Sequence, residues 1–506
     1  MRGAPMPNPP AAWAAGFIVL SLAATAPIAL CAWPPILDYP NHLARMHILA
    51  SAPLTGDLAR HYVIAWSPIP DLASDAIVPL LARLMPVEIA MRVFLATTLI
   101  LMAGGAGVLH RIAFGRWSLW PLTAFLLLYN RMLLWGFINY LAGLALVLWA
   151  LAAWMGLERR PWPARIAIGT IMATAIYLAH LAAFGCYALA IGALAITPSR
   201  REGGSTIERG IGGLARRGLF AAATLAPPAI LFLMSPTSGA PAKLAYGNPL
   251  RKFDLPVSIF DNYNRAVDGM TFAVVLIAVV IGLIGGAIRL HPRLRWCVAA
   301  LLAAFVVLPS RFLTASGIDH RLPIAIAFLF VASSDLTMAS VTREKWVGLA
   351  LLGLFVARMA VVTGFWLKAD RQYAALLPVF DLIAPGAAIA IAAPDSAHAG
   401  GVPLLHFPMI AVIERDAFAP TLFADRFQQP VQFTEASHRL AAEAPSGPLW
   451  RSISLGASPN LAGYDDLMII DPPPGLDRSK LPGPVLFAAP RLLLARIDRP
   501  GPDESR

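Results

Sequence analysis

The sequence predicts a polytopic α-helical membrane protein of about eleven spans followed by a small C-terminal α/β domain. Three observations carry that reading. Apolar stretches of span length, or nearly so, recur from Ala11 to Trp366. The short loops between them sort by charge onto two sides. The 506-residue chain is also 58% hydrophobic and only 14% charged, with a mean hydropathy of +0.65, more apolar than a soluble chain of this length tolerates.

Taken in order, Arg2 precedes an apolar run over 11–33. The run is nearer a spanning helix than the core of a signal peptide, and Cys31-Ala32-Trp33-Pro34-Pro35 offers no small-x-small cleavage site, so it reads as a retained first span. A long outer loop, 34–86, follows. Pro40 stands near a helix start, ahead of good helix formers. Further on, 74–85 places Ile77, Leu80, Leu81 and Leu84 at helical spacing with Asp75 and Arg83 off that face, as in an amphipathic helix lying along a leaflet. Ten further spans are expected at 87–109, 118–129, 137–155, 166–178, 181–196, 219–234, 270–288, 296–308, 322–338 and 346–366. Several are short for a bilayer core of about 30 Å, and the hinges at Asn130-Arg131 and His180 are the weakest reversals.

Residues 1–366 thus form the transmembrane domain and 367–506 a separate one. In the latter, apolar runs shorten to strand length at 387–393, 467–470 and 492–497, with a helical stretch at 435–442. No Walker, dinucleotide or nucleophile-elbow pattern occurs there. Glu414-Arg415-Asp416 and the segment 420–430 read as solvated surface.

The basic loops at 110–116, 158–165, 200–217, 289–295 and 343–345 all fall on the side of Arg2, which the resistance of Lys and Arg to translocation makes cytoplasmic. The N-terminus is then inside and the C-terminal domain outside. The net charge of +11 is spread over these loops; it is an orientation signal and an attraction to lipid headgroups, not a nucleic-acid surface. Cys31, Cys186 and Cys297 sit within or at the ends of apolar runs without metal-ligand spacing, and read as packing residues.

The chemistry is expected at Asp38, just past the first span. On a helix starting there, Asn41, His42 and Arg45 lie three, four and seven residues on and share its face, grouping a carboxylate, an amide, an imidazole and a guanidinium. The competing account is that Asp38 merely caps the helix. On the outer side, the segment 309–321 holds Arg311, His320 and Arg321 beside Asp319, and 235–268 supplies Lys243, Arg251, Lys252 and Arg265. Acid pairing or headgroup contact explains any one of these cations as readily as substrate binding. His180 lies at an outer turn, and Arg358 falls inside the last span, where an arginine faces a polar cavity or a partner.

A first span from the inside, an acidic residue opening a long outer loop with an amphipathic helix, many further spans and an outer C-terminal domain together resemble the GT-C superfamily of membrane glycosyltransferases. The resemblance implies an inverting transfer from a polyprenyl-phosphate-linked sugar to an envelope glycan, lipid or protein, on the periplasmic side of a bacterial inner membrane. It implies Asp38 as general base or orienter of the acceptor hydroxyl, with His42 beside it. Asn41, Arg45, His180, Arg311, Asp319, His320 and Arg321 become the candidate substrate-binding residues, Arg311 and Arg321 foremost for a phosphate. The chain departs from the superfamily's pattern in that no second acid adjoins Asp38; a divalent cation there would need another carboxylate, and no set of residues has zinc spacing. Two other classes compete. A transporter or flippase would show internal repeats and charges at the midplane, which, Arg358 apart, are not evident, and an envelope-assembly scaffold would use the outer domain to bind partners.

Overall fold

The computed structural model describes residues 10–198, 210–241, 244–312, 315–338, 340–394, 402–457, 459 and 461–498. Arg2, the greater part of the basic loop 200–217, Lys243 and the tip of the 309–321 segment lie outside them. The protein is 66% helical. Among the described residues seven helices are long and apolar enough to cross a membrane: Ala11–Leu30, Val87–Phe114, Ile138–Arg159, Trp162–Ala179, Ile211–Met234, Arg265–Ile284 and Val341–Leu382. Leu181–Ile196 and Leu294–Val307 are apolar but shorter. The run expected to span at 118–129 is instead the eight-residue 3-10 helix Trp120–Leu127, about 16 Å long at 2 Å per residue and too short for a bilayer.

The chain divides into two compact units, the first being 1–29, 68–73 and 95–364, the second 30–67, 74–94 and 365–506. The expected outer loop 34–86 is therefore divided, most of it belonging with the C-terminal segment.

In the first unit Trp162–Ala179 packs against Ile138–Gly156 and Ile211–Met234, while Leu294–Val307 packs against Leu181–Ile196 and Ile318–Ser333. Small residues also bring Ile138–Gly156 close to Leu181–Ile196: a Cβ on Gly143 would lie 2.7 Å from the Cβ of Ala183, so any larger residue forces these helices apart. Helix ends are closed by side chains the sequence places there. Asn130 accepts from the backbone N–H groups of Met132 and Leu133 to start Arg131–Trp135, which Gly136 ends in the left-handed conformation. Asn264 likewise starts Arg265–Ile284. Lys252 donates to the carbonyls of Phe305, Val306 and Leu308 (3.0, 2.7 and 2.8 Å), satisfying the end of Leu294–Val307. That gives one outer cation a structural reason. Arg265–Ile284 exposes Val274, Ile277, Ile281 and Ile284, an apolar surface suited to lipid.

In the second unit a four-stranded sheet has the order Ile389–Ala392, Asp466–Ile470, Leu492–Arg496, Val485–Ala489. The first pair is parallel and the others antiparallel. The three strand-length runs read from the sequence all lie in this sheet, and the expected helix at 435–442 is Glu435–Glu443. A separate ribbon pairs Tyr62–Ile64 with Val431–Phe433, in register Tyr62↔Phe433. Helix Tyr39–Ala50 packs on Phe407–Met409 and Ile410–Arg415. Both contacts join the first expected loop to the C-terminal segment. Ala73–Leu81 is the amphipathic helix expected near 74–85. Its Ile77 and Leu80 are exposed, with Leu84 just beyond, while Asp75 faces inward and is fully buried. All three cysteines are free and buried.

Candidate active site

Asp38 occupies the N-cap position of Tyr39–Ala50, yet its side chain makes no capping hydrogen bond. The carboxylate instead lies 3.2 Å from His406, Oδ1 to Nε2, with a fifth of its side chain still exposed. Pro40 in the first turn needs no N–H bond there, which relieves the cap of part of its task. The competing account of Asp38 as a helix cap therefore fails on geometry.

Asn41, one turn along, is fully buried and uses both ends of its amide. Its Nδ2 donates to the Thr421 carbonyl (2.8 Å) and to His406 Nδ1 (3.1 Å), while its Oδ1 accepts from the Phe423 backbone N–H (2.7 Å). An oxygen facing an N–H and a nitrogen facing a carbonyl fix the amide's orientation. His406 Nδ1 must then be the acceptor, and the neutral ring carries its proton on Nε2, the nitrogen nearer Asp38. The Phe423 ring stands edge-on to both His406 (5.1 Å between centroids) and His42 (5.7 Å). Residues 420–430, expected as solvated surface, thus supply a wall of this cluster; Leu422 and Gln429 are buried with it.

Arg45 does not present its guanidinium to solvent. Its Nε and Nη2 reach Asp75 Oδ1 and Oδ2 at 2.6 and 2.9 Å, both side chains are fully buried, and Ser74 Oγ donates to the same carboxylate at 3.0 Å. Arg45 Nη2 also lies 3.3 Å from His42 Nδ1. Arg45 is therefore a clamp holding His42 and the helix, rather than a group free to meet substrate.

The remaining candidates belong to the first unit. Arg311 opens a two-residue strand paired with Ala315–Ser316 and is exposed. Arg321 is buried, its guanidinium stacked 4.4 Å over the Phe137 ring, and its carbonyl accepts from the Tyr140 hydroxyl at 2.7 Å. His320 packs beside Trp135 (5.4 Å). Asp319 is buried, and its Oδ1 has no hydrogen-bond partner among the described residues. His180 caps Leu181–Ile196 by accepting from the Ala182 N–H and abuts Tyr140 (5.4 Å), a structural use of a turn histidine. Arg358 is likewise engaged: it meets Asp268 at 3.5 Å, the carbonyls of Tyr129 and Phe260 at 3.3 and 3.1 Å, and the Phe260 ring. Among the described residues no three His, Cys, Asp or Glu side chains are grouped to hold a metal ion.

The sequence reading missed His406, Thr421, Phe423 and the partner role of Asp75. A solitary histidine in Leu404-Leu405-His406-Phe407-Pro408 carries no spacing that points to residue 38. No protein-family model matches this chain, and neither a curated protein nor a solved structure matches it significantly.

Proposed function

We propose that the protein is an inverting membrane glycosyltransferase of the GT-C kind. It takes a sugar from a polyprenyl-phosphate donor and passes it to an envelope glycan, lipid or protein. The proposal sets it in a bacterial inner membrane, with the N-terminus cytoplasmic and Asp38 on the periplasmic side. The observation that carries the reading is Asp38 itself: a partly exposed carboxylate directly after an apolar helix, released from capping and turned toward an imidazole.

In the proposed reaction Asp38 withdraws the proton of the acceptor hydroxyl as that oxygen bonds to the anomeric carbon. The bond from that carbon to the phosphate oxygen breaks, and its electron pair leaves with the polyprenyl phosphate. The proton passes through Asp38 to solvent, and no redox partner is required.

Mass spectrometry of glycans and lipids from a strain lacking this chain, compared with one restored by the wild type, is expected to reveal a missing sugar. Restoration with Asp38→Asn is expected to lower transfer by about 10²–10⁴-fold, with the protein present in the membrane at normal amount. Full glycosylation by that variant would defeat the assignment.

A further inference from the structure

We infer that His406 is the positioning residue of the Asp38 carboxylate, and that Asn41 holds it in the one tautomer that can serve. The inference rests on the reading of Asp38 as the general base and adds a device that makes that base directional.

The argument runs through hydrogen-bond capacity. Asp38 stands on a helix terminus with no capping bond to fix its rotamer, and a base left to rotate is poorly placed to meet an acceptor hydroxyl. His406 Nε2, 3.2 Å from Oδ1, makes an ion-pair contact rather than an aligned hydrogen bond; with a proton on that nitrogen its positive end holds Oδ1 and leaves the other carboxylate oxygen for substrate. That contact needs a proton on Nε2. A neutral imidazole in water divides its proton between two nitrogens, and the Nδ1–H form would turn a lone pair toward the carboxylate. Asn41 removes the choice: both hydrogens of its Nδ2 are committed, one to Thr421 and one to His406 Nδ1, so Nδ1 has to accept. The Phe423 N–H, by pinning Oδ1, prevents the amide from turning over. His406 itself is nearly enclosed, with 11% of its side chain exposed, and Phe423 packs edge-on against it. His406 gives up no proton in the proposed step; it orients the group that accepts one.

This gives the C-terminal segment a part in the chemistry. The segment bearing His406, Thr421 and Phe423 packs around the base, and the amide joining it to the first loop spans 365 positions of sequence.

Two measurements test the inference. In membranes of the deletion strain restored with each variant, sugar transfer is followed at saturating and limiting amounts of the isoprenoid-linked lipids extracted from the same cells. His406→Ala and His406→Asn are expected to lose about 10- to 100-fold in kcat, with KM little changed. His406→Gln, whose terminal amide nitrogen takes the place of Nε2, is expected to recover most of the loss. Equal rates for the Asn and Gln variants, or wild-type rates for Ala, would overturn the positioning role. If Asp38→Asn alone is inactive, the glycosyltransferase reading survives that outcome.

The second measurement needs no substrate. Nitrogen NMR of the full chain labelled at histidine, with the His406 signals assigned by their absence in His406→Gln, is expected to show the proton on Nε2. Asn41→Asp places acceptors against Nδ1 and is expected to draw a proton onto that nitrogen. A proton on Nδ1 in the wild type, or no change in Asn41→Asp, would refute the tautomer argument.

Discussion

Replacing Asp75 with alanine leaves the Arg45 guanidinium buried without its counter-charge, and the structure sets the scale of the damage. Both side chains are fully excluded from solvent and meet fork to fork at 2.6 and 2.9 Å. Removing one partner of such a pair costs about 3–5 kcal/mol, most of it the penalty of stranding the other charge. In a unit of roughly 200 residues each kcal/mol moves the midpoint by about 2–4 °C, so Asp75→Ala is expected to lower Tm by about 6–20 °C. Replacing both groups by apolar ones of similar bulk, Arg45→Met with Asp75→Leu, removes the desolvation cost with the attraction and is expected to recover most of the loss. The assay is thermal unfolding of the purified full chain in detergent, followed by tryptophan fluorescence, for the wild type, both single variants and the pair. A shift of only a degree or two in Asp75→Ala, or a double variant no better than the sum of the singles, would refute the clamp. A double variant that folds normally but does not transfer sugar would return to Arg45 the substrate role that its sequence position suggests.

Three further outcomes are expected. Arg358→Met should destabilise the first unit by about 1–3 kcal/mol, because the buried Asp268 carboxylate loses its cation at 3.5 Å but keeps the backbone N–H groups of Asn262 and Asn264; differential scanning calorimetry measures the loss. Lys252→Met, which frees three carbonyls at the end of Leu294–Val307, should cost about 1 kcal/mol and speed amide exchange in that helix's last turn. Burial holds His61 below its ordinary value of about 6.5, so the unfolded chain binds the proton first and stability falls as pH drops below that value. Unfolding midpoints from pH 7.5 to 5 should therefore decline less in His61→Gln than in the wild type.

The apolar helices were legible because period and length suffice to find them, and the strands at 389–392, 466–470 and 492–496 because their apolar runs are bounded by Pro, Gly and Asp. The 3-10 helix Trp120–Leu127 was not, since hydropathy is blind to rise per residue and the run of 118–129 scores like a short span. At the site, spacing alone placed Asp38, Asn41, His42 and Arg45 on one helix face, and they do share it. What spacing could not supply is which groups meet that face. Asp75 lies 30 positions from Arg45 and His406 lies 365 from Asn41; such partners follow from packing, which a local pattern does not encode. The same limit made 420–430 look like surface, because its backbone carbonyl and N–H groups do the hydrogen bonding to Asn41.

The ribbon joining Tyr62–Ile64 to Val431–Phe433 bears on biogenesis. At about 5–20 residues per second, a ribosome takes roughly 20–75 s to travel from the first of these strands to the second. Throughout that interval the nascent Tyr62–Ile64 edge stays unmated and Asp38 lacks its imidazole. The proposed base is assembled only when translation is nearly finished.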